Sequence, residues 1–328
     1  MDSRARVKAA LAGERLDRPP VGAWGHTYRE EWSPEELARV TVERARRLGW
    51  DFVKFQPRAT FFSEAFGNRY RPSGHRLRAP VLEREAVPDL DAWRRLRLVD
   101  RSVLDEQARA LGLVVKELGE VPVLQTVFSA VTVGSYLVGR DRRRLVRELR
   151  QHPDVVLPAL QRVQDALVDF ARSSVEAGAA GVFYAISGFA TPDAMPVKVY
   201  EELVLAMDLR FCEALPAAAW FNVVHLCGSR VDMDVARRLP VQAVSYSIHN
   251  AGNPSLGEAR RLTGKAVMGG LEQRGALVAG PAEAIERQVR EAVADTGGTA
   301  LLLAPGCSVP PRAREANLAA LARSAAAA

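Results

Sequence analysis

Two side chains at the end of one apolar run carry the chemistry most easily read from this chain. In Trp220-Phe221-Asn222-Val223-Val224-His225-Leu226-Cys227-Gly228 a histidine and a cysteine stand two positions apart. Successive side chains of an extended backbone point to opposite faces, so His225 and Cys227 share a face. An imidazole nitrogen and a thiolate brought to one point suit a borderline-soft cation such as Zn²⁺. The chain has 3 cysteines, and Cys307 also follows an apolar run, Ala300-Leu301-Leu302-Leu303-Ala304, through the turn Pro305-Gly306. The expected metal centre is therefore His225, Cys227 and Cys307. The remaining cysteine, Cys212, falls inside a helical segment and reads as a core thiol, the usual place of a small apolar side chain. Three protein donors leave a fourth position open, as catalytic zinc sites do. A thiol substrate entering that position would lose its proton, and the thiolate is the nucleophilic form. Two cysteinate donors also make the metal electron-rich, which favours alkyl transfer to sulfur over hydrolysis of a carbonyl compound.

Positioning three donors so far apart in sequence requires a scaffold that gathers strand ends. Apolar runs alternate with amphipathic segments along the chain: strands are expected at Val21–Trp24, Asp51–Phe55, Val121–Thr126, Gly181–Ile186, around Trp220–Cys227, and at Ala243–Ile248, Lys265–Met268 and Ala300–Ala304. Helices are expected between them. The clearest opens on Ser33-Pro34-Glu35-Glu36, an N-cap, a proline at the first helical position and an acidic first turn, and stops at Gly49. Eight strand–helix units predict an α/β fold, a closed (β/α)₈ TIM barrel occupying 1–328 as one domain. A helix at Ser3–Ala12 extends it at the N-terminus, and the irregular stretch from Phe61 to Asp100 is an insertion after the second strand. An open doubly wound sheet is the alternative, but no glycine-rich dinucleotide fingerprint follows an early strand. In a barrel the site lies at the C-terminal strand ends, where His225, Cys227 and Cys307 all fall.

Other polar residues fall at or near strand ends. His26, His249 and Glu272 are candidates for proton transfer, and Gln56 and Arg274 for orienting substrate. Tyr184 and Asn222 lie within strands and are further candidates for substrate contact or for hydrogen bonds behind a metal ligand. Each has a plain structural reading beside the functional one.

Composition narrows the class. At 328 residues, 48% hydrophobic and 26% charged, the chain is globular and long enough for a large core. No apolar run reaches the ~20 residues that a membrane-spanning helix needs, and no apolar leader follows Met1, so a cytoplasmic protein with no membrane association is expected. The net charge of +6 comes from arginines interleaved with Glu and Asp. Even the densest run, Arg140-Asp141-Arg142-Arg143-Arg144, heads a helix. This argues against nucleic acid and for a solvated basic surface with some attraction for anionic substrates, a true anion-binding surface being the alternative.

Asp17-Arg18-Pro19-Pro20-Val21 after a short helix, the strand end His225-Leu226-Cys227-Gly228, Met268-Gly269-Gly270-Leu271, Ala304-Pro305-Gly306-Cys307, Pro310-Pro311 and Glu315-Ala316-Asn317-Leu318 together resemble the uroporphyrinogen decarboxylase-like superfamily over nearly the full length. The resemblance implies a (β/α)₈ barrel. The His-x-Cys with a late Cys is similar to the zinc-dependent branch that moves methyl groups between corrinoid proteins and thiols such as coenzyme M, which implies that His225, Cys227 and Cys307 bind Zn²⁺. It further implies a small thiol as substrate, with a methylated corrinoid (methylcobalamin) as donor, carried by a corrinoid protein partner. True uroporphyrinogen decarboxylases carry an arginine-rich loop of the Arg-Gln-Ala-Gly-Arg kind where this chain has Trp24-Gly25-His26-Thr27-Tyr28-Arg29. A metal-free lyase acting on an anionic tetrapyrrole is the alternative, and a non-catalytic binding partner of a corrinoid protein is a second.

Overall fold

The computed structural model describes residues 1–328. Its strands are β1 (Val53–Phe55), β2 (Arg69–Arg71), β3 (Val81–Arg84), β4 (Val123–Phe128), β5 (Gly181–Ser187), β6 (Val223–Cys227), β7 (Ala243–Ser245), β8 (Ala266–Leu271) and β9 (Leu301–Pro305). Seven of them form a parallel sheet in the order β1-β4-β5-β6-β7-β8-β9, with helices in the crossovers. The eighth member is the segment around Val21, reduced from the expected strand to a single parallel bridge with Leu303. Gly22 N donates to Leu303 O at 3.1 Å and Leu303 N to Pro20 O at 2.9 Å, while Asp51 N donates to Val21 O at 2.8 Å from the other side. The barrel is thereby closed between β9 and β1. Pro19 and Pro20 have no N–H to give, so a longer ladder cannot form there. The expected strand at Ala243–Ile248 is likewise cut short after Ser245, where Tyr246 turns its hydroxyl onto the carbonyls of Pro254 and Ser255.

The period of two along each strand sorts side chains into two cores. Those facing the barrel axis include Phe52, Leu124, Phe183, Ala185, Val223, Met268, Leu302 and Ala304. Those facing outward, such as Val182, Tyr184, Val224, Leu226 and Leu303, pack under the helices. The N-terminal helix Ser3–Ala12 contributes Val7 and Ala10 to the inner core, so it plugs the end of the barrel opposite the site. Asp51, 1% exposed, ties that plug in place: Arg6 and Arg18 both pair with its carboxylate, and Val21 N donates to it at 2.9 Å.

The expected insertion comprises a short helix (Phe61–Ala65), the antiparallel pair β2/β3 and a helix (Leu90–Arg95). It is anchored beneath by Phe62 edge-on to Phe170, with centroids 5.4 Å apart. It is also bonded to the turn after the helix Ala130–Leu137: Asn68 Nδ2 donates to Tyr136 O at 2.7 Å, and Val87 N to Leu137 O at 3.1 Å. No helix is long and apolar enough to cross a membrane.

Candidate metal centre and substrate cavity

Parallel register places the donors. Ala185 lies opposite His225 and Ser187 opposite Cys227 on one side of β6, and Ser245 lies opposite His225 on the other. His225 and Cys227 follow Val223 on the inner face. The loop after β6 is held by Asn250 Nδ2 and Asn253 Nδ2, which donate to Gly228 O at 2.9 and 3.0 Å. Cys307 arrives from β9 through Gly306, whose N donates to Leu271 O at 3.0 Å. A β-carbon on Gly306 would sit 2.6 Å from Ser247 Cα, so only glycine lets the chain pass there and aim Cys307 inward. The three ligand atoms lie within 4.8 Å of one another. One nitrogen and two sulfurs, with no carboxylate among them, make a donor set that fits Zn²⁺.

Their orientation is fixed from behind. His225, 4% exposed, stacks on Phe183 with centroids 5.1 Å apart and meets Ser245 Oγ through Nδ1 at 3.2 Å, which leaves Nε2 for the sulfurs. The two free thiols behave as one unit. Cys227 is raised above the usual thiol range by its hydrogen bond to Cys307 and by burial. Cys307 is held well below that range, first by that hydrogen bond and then, against the opposing effect of burial, by His225. The pair therefore gives up its first thiol proton more easily than its second, and a cation that displaces both binds two thiolates.

These residues form the floor of a cavity of about 590 Å³. Trp24 and Phe183 form an aromatic wall, and Lys54 Nζ lies 5.8 and 5.0 Å from their ring centroids. Burial pushes the Lys54 ammonium down to about 7, with Cys307 and Glu31 opposing that shift. Lys54 donates to Gln56 Oε1, Gln56 Nε2 meets His26 Nε2 at 3.0 Å, and His26 Nδ1 meets Glu31 Oε1 at 2.7 Å. A continuous hydrogen-bonded wall therefore runs from Lys54 to the buried Glu31. At the mouth stand Tyr136, Arg140, Arg142 and Arg143.

The uroporphyrinogen decarboxylase (URO-D) family model matches residues 2–327. The chain belongs to this family. Among solved structures, this URO-D-family chain is similar to a methyltransferase from Methanosarcina mazei, at 22% identity and a TM-score of 0.82, over 99% of this chain and 98% of that one. It is also similar to a B12-independent methionine synthase from Shewanella sp. W3-18-1, at 15% identity and a TM-score of 0.60, over 88% of this chain and 86% of that one. At these identities the likeness is one of fold. No curated protein matches the chain by sequence.

The URO-D barrel brings some of the expected residues together and separates others. His26 and Gln56 line the cavity with His225, Cys227 and Cys307. Tyr184 does not: it lies on the outer face of β5, fully buried under the helices, and donates to Asp208 Oδ1 at 2.6 Å. Asn222 precedes β6 at the opposite end of the barrel, where its Oδ1 accepts from Val182 N and its Nδ2 donates to Ala219 O. His249 lies outside the cavity lining, with Nε2 3.1 Å from Gly270 O. Glu272 and Arg274 follow β8 beyond the lining, and Arg274 is exposed. Tyr184 and Asn222 turn away from the cavity because adjacent residues of a strand face opposite sides, and His249, Glu272 and Arg274 stand outside its lining. Lys54, Ser245 and Tyr136 are not among the residues the sequence singles out, and the arginine run stands out there only as surface charge. For Lys54 the signal was present: Phe52, Lys54 and Gln56 alternate, so an inward Gln56 requires an inward lysine.

Proposed function

We propose that this URO-D-family protein is a methyltransferase that binds Zn²⁺ through His225, Cys227 and Cys307 and alkylates a thiol substrate. The observation that carries the proposal is the convergence of two sulfurs and one imidazole within 4.8 Å on the floor of a cavity at the strand ends. His225, Cys227 and Cys307 would hold the metal, which would supply a positive charge that favours the thiolate form of a thiol substrate. The protein's own groups do the rest. Ser245 holds the His225 ring so that one nitrogen faces the sulfurs, and Phe183 stacks on it. Trp24 and Phe183 keep water from the inner wall, while Lys54, lowered to about 7 by burial, can hold or release a proton within the same cavity. In the overall exchange the methyl–donor bond breaks, an S–CH₃ bond forms and the thiol proton leaves to solvent. With methylcobalamin as donor, the electron pair of the broken bond stays on cobalt. The names of the two similar structures, a methyltransferase and a methionine synthase, support methyl transfer. A corrinoid protein is the proposed partner delivering the donor to the mouth.

Metal content and the cobalamin spectrum test the proposal together. About one zinc per chain, lost in His225→Ala and Cys307→Ala, and thiol-dependent demethylation of methylcobalamin are expected. A folded, zinc-free wild type, or turnover that survives Cys227→Ala, would overturn it and favour the metal-free lyase. Zinc without turnover on any thiol would favour the non-catalytic binding partner.

A further inference from the structure

The cavity mouth holds charges that the metal chemistry does not use. Of the four arginines in Arg140-Asp141-Arg142-Arg143-Arg144, only Arg144 is paired, with Glu85 and with Glu148 at 2.8 Å. Arg140, Arg142 and Arg143 have no ionic partner and line the cavity, with Asp141 as the sole carboxylate among them. Two of the three are held in place. The Arg140 guanidinium lies 5.0 Å from the Tyr136 ring centroid, and its backbone is left-handed at φ 69° after Gly139 at φ 67°. A non-glycine residue in that region costs free energy and marks a position held for a reason. The Arg142 guanidinium lies 5.7 Å from the ring of Phe189 and crosses Gly188, where a β-carbon would come within 2.6 Å of Arg142 Nη1. The insertion buttresses the same turn: Asn68 and Val87 bond to the carbonyls of Tyr136 and Leu137, and Arg144 Nη2 donates to Val87 O at 2.9 Å. Guanidinium groups held over aromatic rings keep N–H donors free, an arrangement suited to carboxylate, phosphate or sulfonate oxygens.

We infer that Arg140, Arg142 and Arg143 form an anion-binding lip that selects a substrate with at least two negative charges at the end remote from its reacting atom. Three cations against one carboxylate leave the lip two charges in excess, and a monoanion would neutralise only half of that. The identity of the reacting atom as sulfur rests on the methyl-transfer proposal; the anionic end does not. Probes without sulfur therefore separate the two. The test is isothermal titration of the purified full-length protein with propionate, succinate and tricarballylate, which carry one, two and three carboxylates. Succinate and tricarballylate are expected to bind at least ~10-fold more tightly than propionate, with an advantage that shrinks as salt rises. Arg140→Gln and Arg142→Gln are each expected to weaken tricarballylate binding ~10-fold, while Arg147→Gln, on the same helix outside the cavity, leaves it unchanged. Gly188→Ala is expected to act like Arg142→Gln by displacing that guanidinium. Equal affinity for all three acids, or tricarballylate binding untouched by both arginine variants, would overturn the inference even if zinc and methyl transfer are upheld. Zinc loss with the carboxylate series intact would overturn the methyl-transfer proposal alone.

Discussion

Ser245 shows how one hydroxyl can orient a candidate metal ligand without being one itself. It is fully buried, sits across from His225 in the β6/β7 register and meets its Nδ1 at 3.2 Å. Partners of this kind fix the tautomer and aim of a ligating histidine, and their loss typically costs 10–100-fold in metal affinity. Ser245→Ala is accordingly expected to retain the fold and lower zinc affinity by ~10-fold or more. Competition with a chromophoric chelator would measure this, and unchanged affinity would mean that packing on Phe183 alone orients the ring. At this scale the donors were legible in the sequence and their support was not. His225 and Cys227 are two apart and need only a strand to share a face, whereas Ser245 reaches His225 across a neighbouring strand whose register no local pattern specifies.

Among the elements, the seam between β9 and β1 is the weakest part of the barrel wall, since a single bridge at Val21 stands where the other seven positions have strands. Side chains compensate for the missing ladder. Asp51 accepts from Val21 N and pairs with Arg6 on the N-terminal helix and with Arg18 in the turn that leads to the bridge. Removing one member of a buried ion network leaves uncompensated charge, at a cost of about 3–5 kcal/mol. Asp51→Ala is expected to lose that much stability in chemical denaturation and to loosen the helix Ser3–Ala12. Faster amide exchange confined to that helix and to residues 17–24 would mark the effect. Exchange unchanged there would show that the apolar contacts of Val7 and Ala10 suffice to hold the plug.

For the whole molecule, a further pH-dependent burden lies away from the cavity. Asp208, on the helix Leu205–Glu213, is buried facing β5, accepts from the hydroxyls of Tyr184 and Tyr200, and is pushed up to about 6 by burial, the two tyrosines opposing that shift. Its unfolded value is near 3.8. Between these limits the folded chain binds the extra proton, so this group's contribution to stability is greatest below about pH 4 and declines as pH rises through about 6. Asp17 acts in the opposite direction: Arg6 holds its carboxyl well below the usual carboxylate range, and that stability is lost only in strong acid. The difference in thermal midpoint between wild type and Asp208→Asn is expected to change steadily from pH 4 to pH 6.5, the variant gaining relative to wild type as pH rises. A difference that does not vary with pH would show that Asp208 keeps the same charge throughout that range.

The sequence by itself determined the strand–helix alternation, the helix stop at Gly49 and the three candidate donors at strand ends, because each depends on local periodicity, capping or a position at the end of an apolar run. It also contained the arginine run after Gly139, but as charge without direction. Which of those arginines face the cavity was decided by tertiary structure: a left-handed turn at Arg140, rings from two different elements and an insertion bonded behind them. The separation of Tyr184 from Phe183 and Ala185 was decided there too. Adjacent residues of one strand face opposite cores, and only the closure of the barrel made one of those cores the floor of a cavity.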